Sequence, residues 1–564
     1  MWRSRMVLFL MFMGFVALLG RAFWIQGPGN SFYEQKGKRV ERFEILPAVR
    51  GKILDRNGII LATSLEAKTV IAYPETFPAD LPATKLQALA KLLEMNEKDI
   101  RKKITESKSQ IYLKRQVEPK VAKLIKELDI PGISMTSEYR RYYPEAESMA
   151  HIVGFTDVVE KGIDGMEKEH DATLEGKAGQ RRVIIDRLGR VVEDLGDYQA
   201  PRNGQDLVLS IDSKIQDLAF KEVKAAVLLH HAKAGGAVVL DAQTGEVLAL
   251  ANWPSYDPNH RTNLTGEQLR NRVLTDTFEP GSTMKPFTIA LSLDKGKITP
   301  NTPFEIGHLQ IGNKVITDTH SYSVLTVSQI IQKSSNIGTS RIALQLQPED
   351  MWGMFTSVGF GQAPKIGFPG AVSGRLRPYE KWGKLDQATM SFGYGISVSL
   401  FQLAHAYTIF ARDGELTPIS MRKLDSRPVG TKVISAKTAA EVRSMLELVT
   451  LEGGTAPKAA VEGYRVGGKT GTAHKSMGKS GYSGNKYDGF FSGIAPMSAP
   501  RIVVAVIIDE PTTGGYYGGD TAAPVFSKVV SGALKVLNVQ PDNNLKDLVM
   551  NSDNSLAQKV ALKQ

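Results

Sequence analysis

The chain has 564 residues, 42% of them hydrophobic and 23% charged, which excludes a disordered or fibrous protein and indicates more than one folded core. The net charge of +11 comes from scattered lysines and arginines, and no basic patch interleaved with aromatic residues indicates a nucleic-acid partner. The lack of cysteine excludes disulfides and thiol catalysis, and no residue spacing indicates a zinc site.

An apolar segment occupies residues 6–25 and is interrupted only by Arg21. A helix of roughly 20 such residues is long enough to cross a bilayer. Arg3 and Arg5 precede the segment, so the five N-terminal residues are expected in the cytoplasm and the rest of the chain outside it. A cleaved signal peptide is the alternative, but bulky residues follow Ala17 where a small-residue cleavage site would be needed. A retained membrane anchor is therefore favoured.

Residues 40–205 are predicted to form a first external domain with both helices and strands. The Asp-Arg-Asn-Gly sequence at 55–58 has the turn chemistry of a β-hairpin between apolar flanks. The predicted elements are hairpins at 50–61 and 183–192 and short, charged surface helices at 86–93 and 121–128. No nucleophile, base and orienting group come together here, and the isolated His151 and His170 are expected to be structural. The domain is therefore expected to be a non-catalytic α+β module that spaces or docks a partner.

Residues 206–540 are predicted to form a second external domain, and 541–564 a flexible polar tail. β-Branched runs predict strands, and amphipathic patterning predicts helices. The predicted elements are a hairpin over 238–250, a largely helical region that includes 400–411, strands at 490–495 and 501–508, and a final helix at 522–537. The final helix is expected to cover the sheet.

Ser282 and Lys285 form a candidate acyl-transfer centre. Pro280-Gly281 is a turn signal, and the apolar residues from Phe287 onward predict a buried helix. Ser282 would then lie at the helix N-terminus, where free N–H groups and the dipole favour negative charge. Lys285 is three residues further on, so its amine is expected on the same face as the serine hydroxyl. A serine needs a base to become a nucleophile, and a desolvated neutral lysine can act as one.

The Ser-x-x-Lys pattern alone is weak evidence, because it occurs four more times in the chain. The other copies begin at Ser292, Ser420, Ser476 and Ser483. Any single copy is better explained as a helix-capping serine followed by a solvated lysine. What distinguishes Ser282 is a pair of further motifs downstream.

These further motifs are a Ser-x-Asn tripeptide, Ser334 and Asn336, and the run from Lys469 to Thr472. In the run, glycine allows close backbone approach, lysine offers positive charge to a carboxylate, and threonine offers hydroxyls. Decoys exist as Ser-x-Asn at 483–485 and 552–554 and as Lys-Ser-Gly at 479–481. Only one set keeps the order Ser-x-x-Lys, Ser-x-Asn, Lys-Thr-Gly at open spacing. That ordered triplet is the signature of active-site serine β-lactamases and penicillin-binding proteins.

The chain resembles a class B penicillin-binding protein, a monofunctional peptidoglycan D,D-transpeptidase, over almost its whole length. The anchor, the Arg-Gly…Asp-Arg-Asn-Gly motif at 50–58 and the three catalytic motifs occur in the family's order. The resemblance implies an α+β fold: one transmembrane helix, an elongated pedestal (dimerisation) domain, and a transpeptidase domain with an antiparallel sheet flanked by helices and an all-helical subdomain. The motifs that begin at Glu279, Lys333, Lys469 and Tyr516 most resemble the cell-division (septal) branch, because the elongation branch more often has Lys-Ser-Gly as its third motif.

The resemblance also implies residue roles. Ser282 would attack the penultimate D-Ala carbonyl of a stem pentapeptide, and Lys285 would take its proton. Ser334 and Asn336 would relay protons and hold the peptide. The terminal carboxylate would be bound by Lys469, Thr470, Gly471 and Thr472. Burial, the helix end and the charge of Lys469 are all expected to lower the pKa of Lys285, which must be neutral to act as a base.

Other functions are possible from the motifs. An elongation-type transpeptidase, a β-lactam-binding sensor and a catalytically silent scaffold all stay open as alternatives. A β-lactamase shares the triplet, but it would need neither the first domain nor a retained anchor, and no glutamate motif for activating a deacylating water is evident. A bifunctional enzyme would need a glycosyltransferase domain, for which the chain before residue 206 is too short.

The family implies a single-pass protein of the bacterial inner membrane, with a periplasmic catalytic domain at the division septum. The expected partners are the D-Ala-D-Ala stem pentapeptide, β-lactams, a polytopic SEDS-type (FtsW-like) glycosyltransferase and other divisome membrane proteins. No metal, cofactor or nucleic acid is implied.

Overall fold

The computed structural model describes residues 2–27, 41–107, 109–185, 191–476 and 482–543. The chain divides into two compact units. The first unit comprises Met1–Lys52, Thr63–Tyr142 and Ala172–Asp206, and the second comprises Ile53–Ala62, Tyr143–Asp171 and Leu207–Gln564. The chain therefore passes from one unit to the other several times. The continuous domains expected at 40–205 and 206–540 stay predictions.

The apolar N-terminal segment is one α-helix, Trp2–Gln26, with a mean hydropathy of 2.2 over its most apolar window. Its 25 residues are enough to cross a bilayer, at a rise of about 1.5 Å per residue. Within the described residues it is the one helix that is long and apolar enough to do so. The helical prediction for residues 6–25 is thus confirmed, and the helix extends four residues further toward the N-terminus.

The core of the first unit lies between a sheet and three helices. The strand Ile60–Ala72 pairs antiparallel with Ile111–Val117 and with Ile133–Tyr142. The helices are Ala83–Leu93, Glu97–Glu106 and Pro119–Glu127. Leu86, Leu89, Leu93 and Ile125 are among the residues of the buried cluster. The helices predicted as charged surface elements therefore exist, but each also buries one apolar face that the sheet covers.

A second, three-stranded sheet of the first unit contains the predicted hairpin at 183–192. Its antiparallel strands are Glu41–Leu46, Gly179–Ile185 and Val191–Asp194, in that spatial order. The two hairpin strands pair as predicted, and the turn residues 186–190 lie outside the described residues.

The second unit is built on a five-stranded antiparallel sheet. Its strands, in spatial order, are Val247–Trp253, Ala234–Asp241, Ile502–Asp509, Tyr482–Ala495 and Gly467–Ser476. Ser213–Leu229 and Gly518–Val536 pack against one face and against each other, while Leu400–Ala411 packs against the other face. Because both faces are covered, the central strand Ile502–Asp509 carries a run of β-branched residues instead of alternating polar ones. The strand and helix predictions for this unit are confirmed, and the predicted polar tail lies outside the described residues beyond 543.

The structure also contains shorter helices, 3₁₀ turns and short strands. The other helices are Ala146–Val153, Gly165–Glu169, Asp171–Leu174, Gly266–Leu269, Arg272–Thr275, Lys285–Asp294, Val327–Lys333, Asn336–Ala343, Pro348–Ser357, Lys384–Met390 and Ala436–Thr450, with 3₁₀ turns at Gly281–Met284, Tyr379–Lys381 and Pro457–Ala459. The short strands are Ile53–Leu54, Leu207–Val208, Pro303–Glu305, Leu309–Ile311, Lys314–Ile316, Val324–Thr326, Glu415–Leu416 and Thr431–Lys432. The molecule is therefore α+β, with a helix-rich region in the second unit, as the sequence predicts.

The predicted Asp-Arg-Asn-Gly turn belongs to the second unit and is organised by a buried carboxylate. Asp55 is fully buried and accepts hydrogen bonds from the backbone N–H groups of Asn57 at 2.7 Å and Ile59 at 2.8 Å. It also accepts from the backbone N–H of Ser213 at 3.1 Å and from its hydroxyl at 2.9 Å. A carboxylate with four donors is satisfied even in the interior. The turn is thus joined to the helix that begins at Ser213.

His151 and His170, both expected to be structural, also lie in the second unit. His151 is buried, its Nε2 contacts the backbone carbonyl of Gln268 at 2.7 Å, and burial lowers its pKa to about 4. A neutral, hydrogen-bonded ring away from the cleft fits that structural expectation.

Candidate active site

Ser282 lies in a 3₁₀ turn, Gly281–Met284, that runs directly into the α-helix Lys285–Asp294. The α-helix thus begins three residues after Ser282, which is the second residue of the 3₁₀ turn. Gly281 has φ of +55°, in the left-handed region that favours glycine. A Cβ at this position would lie 3.3 Å from the carbonyl oxygen of Thr472, so the turn passes close to the third motif.

Buried aromatic residues hold the turn from behind. The Tyr407 hydroxyl donates a hydrogen bond to the Thr283 carbonyl oxygen at 2.8 Å. The Phe287 ring packs against the rings of Tyr407 and Phe410, at centroid distances of 5.5 and 5.1 Å. The sequence between 400 and 411 predicts a helix but does not indicate that one of its hydroxyls fixes the serine turn. Tyr407 is therefore a supporting residue that sequence reasoning missed.

Ser334 occupies the junction of two helices. It ends Val327–Lys333 in a left-handed conformation, with φ 61° and ψ 42°, and Asn336–Ala343 begins two residues later. A left-handed conformation is uncommon for a residue with a Cβ, and functional sites are a frequent place for it. In this conformation the Ser334 hydroxyl contacts the lysine amines of the other two motifs.

Lys285 and Lys469 both contact Ser334. The Lys285 amine donates to the Ser334 carbonyl oxygen at 2.5 Å and to its hydroxyl oxygen at 3.1 Å. The Lys469 amine donates to the same hydroxyl oxygen at 2.8 Å. Both lysine side chains are fully buried. Lys285, Ser334 and Lys469, which belong to three separate motifs, thus meet at one oxygen atom.

Burial dominates the electrostatics of this pair. It lowers the pKa of Lys285 to about 7, while the negative charge of Asp318 acts in the opposite direction. The pKa of Lys469 is held well below its usual range, first by burial and then by the charge of Lys285. The expected lowering of the Lys285 pKa is present, but burial alone causes it, and neither the helix end nor the charge of Lys469 contributes as expected. A lysine with a pKa near 7 is partly neutral at physiological pH, so it can accept a proton.

The third motif lies on Gly467–Ser476, the edge strand of the five-stranded sheet. The hydroxyls of Thr470 and Thr455 are 2.8 Å apart, and the backbone N–H of Gly518 donates to the Thr472 hydroxyl at 3.1 Å. Gly471 faces the serine turn. A Cβ there would lie 2.9 Å from the Pro280 carbonyl oxygen and 3.0 Å from the Thr283 methyl group, so only glycine lets the strand approach this closely.

These motifs open onto one cleft of about 670 Å³. Of the predicted site residues, Ser282, Ser334, Asn336, Thr470 and Thr472 line it, and the buried Lys285 and Lys469 contact its floor through Ser334. Aromatic and histidine side chains form much of the remaining wall: His320, Tyr322, Tyr394, His474, Tyr487, Tyr516 and Tyr517. Of these, the sequence drew attention only to the Tyr-Tyr-Gly-Gly motif. The others are single residues in loops and strands with no local signal.

Asp318 is a second residue that the sequence did not indicate. Its carboxylate accepts hydrogen bonds from the backbone N–H groups of Asn336 and Ile337 and from the Ser335 hydroxyl. The Asn336 side chain, expected to hold the peptide, donates to the Thr317 carbonyl oxygen at 2.9 Å. The Ser-x-Asn motif is thus fastened to the loop that contains Thr317 and Asp318.

The other Ser-x-x-Lys copies do not reproduce this arrangement where the structure describes them. Lys295 forms an ion pair with Asp350 at 2.9 Å, and Lys423 donates to the Arg56 carbonyl oxygen at 3.1 Å. The copies and decoys that involve residues 477–481 or 552–554 lie wholly or partly outside the described residues. Over the described ranges, no group of three or more His, Asp or Glu side chains could hold a metal ion.

Comparison with known proteins gives matches to two parts of the chain. Residues 235–531 match the penicillin binding protein transpeptidase domain, and residues 45–209 match the penicillin-binding protein dimerisation domain. The probable peptidoglycan D,D-transpeptidase PenA of Neisseria gonorrhoeae is 42% identical over 547 residues, which cover 96% of this chain and 94% of that protein. Peptidoglycan D,D-transpeptidase FtsI of Escherichia coli (strain K12) is 39% identical over 549 residues, which cover 96% and 93%.

A solved structure supports the same assignment. The apo structure of the TP domain of Burkholderia pseudomallei penicillin-binding protein 3 is 55% identical and superimposes with a TM-score of 0.55. It covers 60% of this chain, and the match covers 98% of that domain. Because both domains match and the similarity to PenA and FtsI extends along most of the chain, this protein belongs to the penicillin-binding protein transpeptidase family.

Proposed function

We propose that this protein is a serine-type peptidoglycan D,D-transpeptidase that cross-links stem peptides through an acyl-Ser282 intermediate. The observation that carries the proposal is the meeting of Lys285 and Lys469 at the Ser334 hydroxyl, in the cleft that Ser282 lines. A buried amine of lowered pKa supplies a base. The second buried amine, Lys469, also has a lowered pKa, and a substrate carboxylate bound beside it would stabilise its positive charge.

The first half-reaction forms an ester. Ser282 Oγ bonds to the carbonyl carbon of the penultimate D-Ala as its proton passes to neutral Lys285. The C–N bond to the terminal D-Ala then breaks, and the leaving amine receives a proton from Lys285 through the Ser334 hydroxyl. In the second half-reaction, the amine of a neighbouring stem peptide attacks the ester. It forms the new amide and returns a proton to Ser282 by the reverse route.

Substrate positioning falls to the edge strand. Lys469, Thr470 and Thr472 bind the terminal carboxylate, and Gly471 allows the strand to lie against the serine turn. The backbone N–H groups of Ser282 and Thr472 are assigned to the oxyanion hole, where each donor contributes about 3 kcal/mol to transition-state stabilisation. The close approach of Gly281 to Thr472 supports that pairing.

We further assign the protein to the septal branch. The support is the Lys-Thr-Gly form of the third motif and the Tyr516-Tyr517-Gly518-Gly519 motif. On this assignment the Trp2–Gln26 helix is an inner-membrane anchor with its N-terminus in the cytoplasm, and the catalytic domain is periplasmic. A SEDS-type glycosyltransferase and other divisome membrane proteins would be its protein partners.

Fluorescent-penicillin labelling tests the catalytic proposal. Wild type should be labelled covalently at Ser282, and Ser282→Ala should lose the label while its melting curve is unchanged. Ser292→Ala is the matched control, because Ser292 belongs to another Ser-x-x-Lys copy and is buried in the following helix. Label that survives in Ser282→Ala, or moves to another serine, would contradict the assignment.

The lifetime of the label separates a transferase from a hydrolase. Transfer to an amine requires that water competes poorly for the acyl-Ser282 ester, so the penicilloyl-enzyme should be long-lived. If the purified protein instead hydrolyses a β-lactam many times per second, it is a β-lactamase.

A further inference from the structure

We propose that Asp318 is a positioning residue for acyl transfer, which holds the Ser-x-Asn motif in the cleft that Ser282 lines and places negative charge near Lys285. This inference rests on the proposed function, because it assumes that Ser282 is acylated. It concerns a residue that belongs to none of the three motifs.

The geometry is that of a carboxylate at a helix N-terminus. One oxygen of Asp318 accepts from the backbone N–H of Asn336 at 2.5 Å and of Ile337 at 3.0 Å. The other oxygen accepts from the Ser335 hydroxyl. The first N–H groups of the helix Asn336–Ala343 have no partners within the helix, and the helix dipole favours negative charge there. Asp318 therefore caps this helix together with Ser335, whose hydroxyl accepts from the backbone N–H of Gly338 at 2.9 Å.

The position of Ser334 depends on that helix start. Ser334 is a single left-handed residue, with φ 61°, between the end of one helix and the start of the next. A non-glycine residue persists in this conformation only when its surroundings hold it there. Asp318 fixes the residues directly after Ser334, so it also fixes the hydroxyl that receives the amines of Lys285 and Lys469.

Asp318 also connects this motif to the wall of the cleft. It lies in the loop between the short strands Lys314–Ile316 and Val324–Thr326. Thr319, His320 and Tyr322 of the same loop line the cleft. A second bond, from the Asn336 side chain to the Thr317 carbonyl oxygen at 2.9 Å, fastens the same junction. Displacement of Asp318 would therefore disturb the motif and the wall together.

The charge of Asp318 acts on the base. The charged groups near Lys285 are Lys469, on the edge strand, and Asp318, on the loop. Burial lowers the pKa of Lys285, whereas Asp318 raises it. The same negative charge also acts on Tyr322 of this loop, whose pKa is raised first by burial and then by Asp318. Loss of the negative charge should therefore leave Lys285 neutral at a lower pH than in wild type.

The test measures the second-order rate of fluorescent-penicillin acylation from about pH 5.5 to 9 for the full-length protein. In Asp318→Asn the plateau rate should fall roughly tenfold, because charge-assisted hydrogen bonds to the motif are lost. The midpoint of the rising limb should move to lower pH by about half a unit or more. A purely structural role would lower the plateau or the melting temperature without moving the midpoint.

Asp212→Asn is the matched control. Asp212 also accepts from two helix N-terminal N–H groups, of Lys214 and Ile215, and from one side-chain donor, Asn57. It does not line the cleft. This variant should lose stability and keep the wild-type midpoint and plateau.

Asp318→Glu separates charge from geometry. It should lower the plateau, because the longer side chain misplaces the hydrogen bonds, but keep the wild-type midpoint. If Asp318→Asn leaves both midpoint and plateau at wild-type values, or if the glutamate and asparagine variants move the midpoint equally, the inference is wrong. If wild type is not labelled at Ser282, the proposed function fails instead, and the two failures are distinguished.

Discussion

The amines of Lys285 and Lys469 donate to the same atom, the hydroxyl oxygen of Ser334, at 3.1 and 2.8 Å. Two ammonium groups that share an acceptor repel each other, and burial weakens the solvent screening of that repulsion. A substrate carboxylate at Lys469 would stabilise positive charge on that lysine. Lys285 would then be the neutral member of the pair, so substrate binding itself would assign the proton positions that acylation needs.

Substitution of Lys469 tests its side of this relationship. In Lys469→Met, loss of a charge-assisted bond should cost roughly 1.5–3 kcal/mol, or about 10- to 150-fold in the second-order acylation rate. The melting temperature should stay level or rise slightly, because the cost of burying the Lys469 amine next to Lys285 is removed. Lys458→Met is the control: Lys458 lines the same cleft but is exposed and paired with Asp520 at 2.7 Å. Unchanged acylation in Lys469→Met would exclude it from carboxylate recognition.

The pH dependence of acylation tests Lys285. Its pKa is lowered to about 7, chiefly by burial, so the neutral, proton-accepting form disappears as the pH falls below that value. The acylation rate of wild type should therefore rise with pH and reach its half-maximal value near pH 7. Rates should be measured with a penicillin that is itself stable over this range. A rate that is flat between about pH 5.5 and 8.5 would show that Lys285 is not the base.

Gly471→Ala tests the close approach of the edge strand to the serine turn. The new Cβ would lie 2.9 Å from the Pro280 carbonyl oxygen, so strand or turn must move. We expect at least a tenfold loss of acylation, since small displacements of reacting groups have large effects on rate. Gly484→Ala, on the neighbouring strand of the same hairpin, is the control because a Cβ there meets nothing within 4 Å. Equal acylation by the two variants would contradict the steric argument.

Asp488 and Asp509 form a pair of acidic side chains close to Lys475, in the same five-stranded sheet. Asp488 and Asp509 are direct partners in the sheet, and Lys475 forms an ion pair with Asp509. Burial, followed by the charge of Asp509, raises the pKa of Asp488 well above its usual range. In the unfolded chain Asp488 releases its proton at lower pH than in the native state. The free energy of unfolding therefore decreases as the pH rises from the pKa of Asp488 in the unfolded chain to its pKa in the native state.

Asp488→Asn removes this dependence. The free energy of unfolding of the variant relative to wild type, measured by denaturant unfolding at each pH, should increase from pH 4 to pH 7 by at most about 1.4 kcal/mol per pH unit. Asp425→Asn, on an exposed carboxyl, should show no such trend. If wild type instead becomes more stable relative to Asp488→Asn as the pH rises, Asp488 is ionised and paired in the native state.

The membrane anchor should be retained in the mature protein. The helix Trp2–Gln26 is continuous through the region where a signal peptidase would need small residues, and bulky Leu18 and Leu19 occupy it. Mass measurement of the native protein should find the residues before Ala22 still present. A new N-terminus between Gly20 and Gln26 would make this a secreted protein.

Local sequence patterns predicted the main secondary-structure elements of the second unit. The strand Ile502–Asp509 and the helix Leu400–Ala411 are both present. The apolar residues of each element are themselves the ones that become buried, so the local sequence is enough to predict it. The order of three short motifs was enough to predict that Ser282, Ser334 and Lys469 belong to one site. The structure adds the distances from Ser334 to the amines of Lys285 and Lys469, and the cleft that Ser282 and Ser334 both line.

Contacts between distant segments could not be predicted in this way. Tyr407 supports Thr283 from 124 residues away, and Asp318 contacts Ser335 through a loop with no motif of its own. Lys469 follows two glycines on an edge strand, which is equally compatible with an exposed lysine, yet it is fully buried. Each of these contacts depends on which distant segment packs against the residue. Neither hydrophobic periodicity nor turn chemistry in the local sequence specifies that segment.

The Asp55 turn has a consequence for the timing of synthesis. Asp55 and Ser213, which it binds in the native state, are 158 residues apart in the chain. At a synthesis rate of about 5–20 residues per second, the carboxylate emerges from the ribosome about 8 to 30 seconds before its partner. During that interval water must satisfy the two acceptor positions that the backbone N–H and the hydroxyl of Ser213 fill in the native state. The second unit thus closes around a segment that is among the oldest parts of the growing chain.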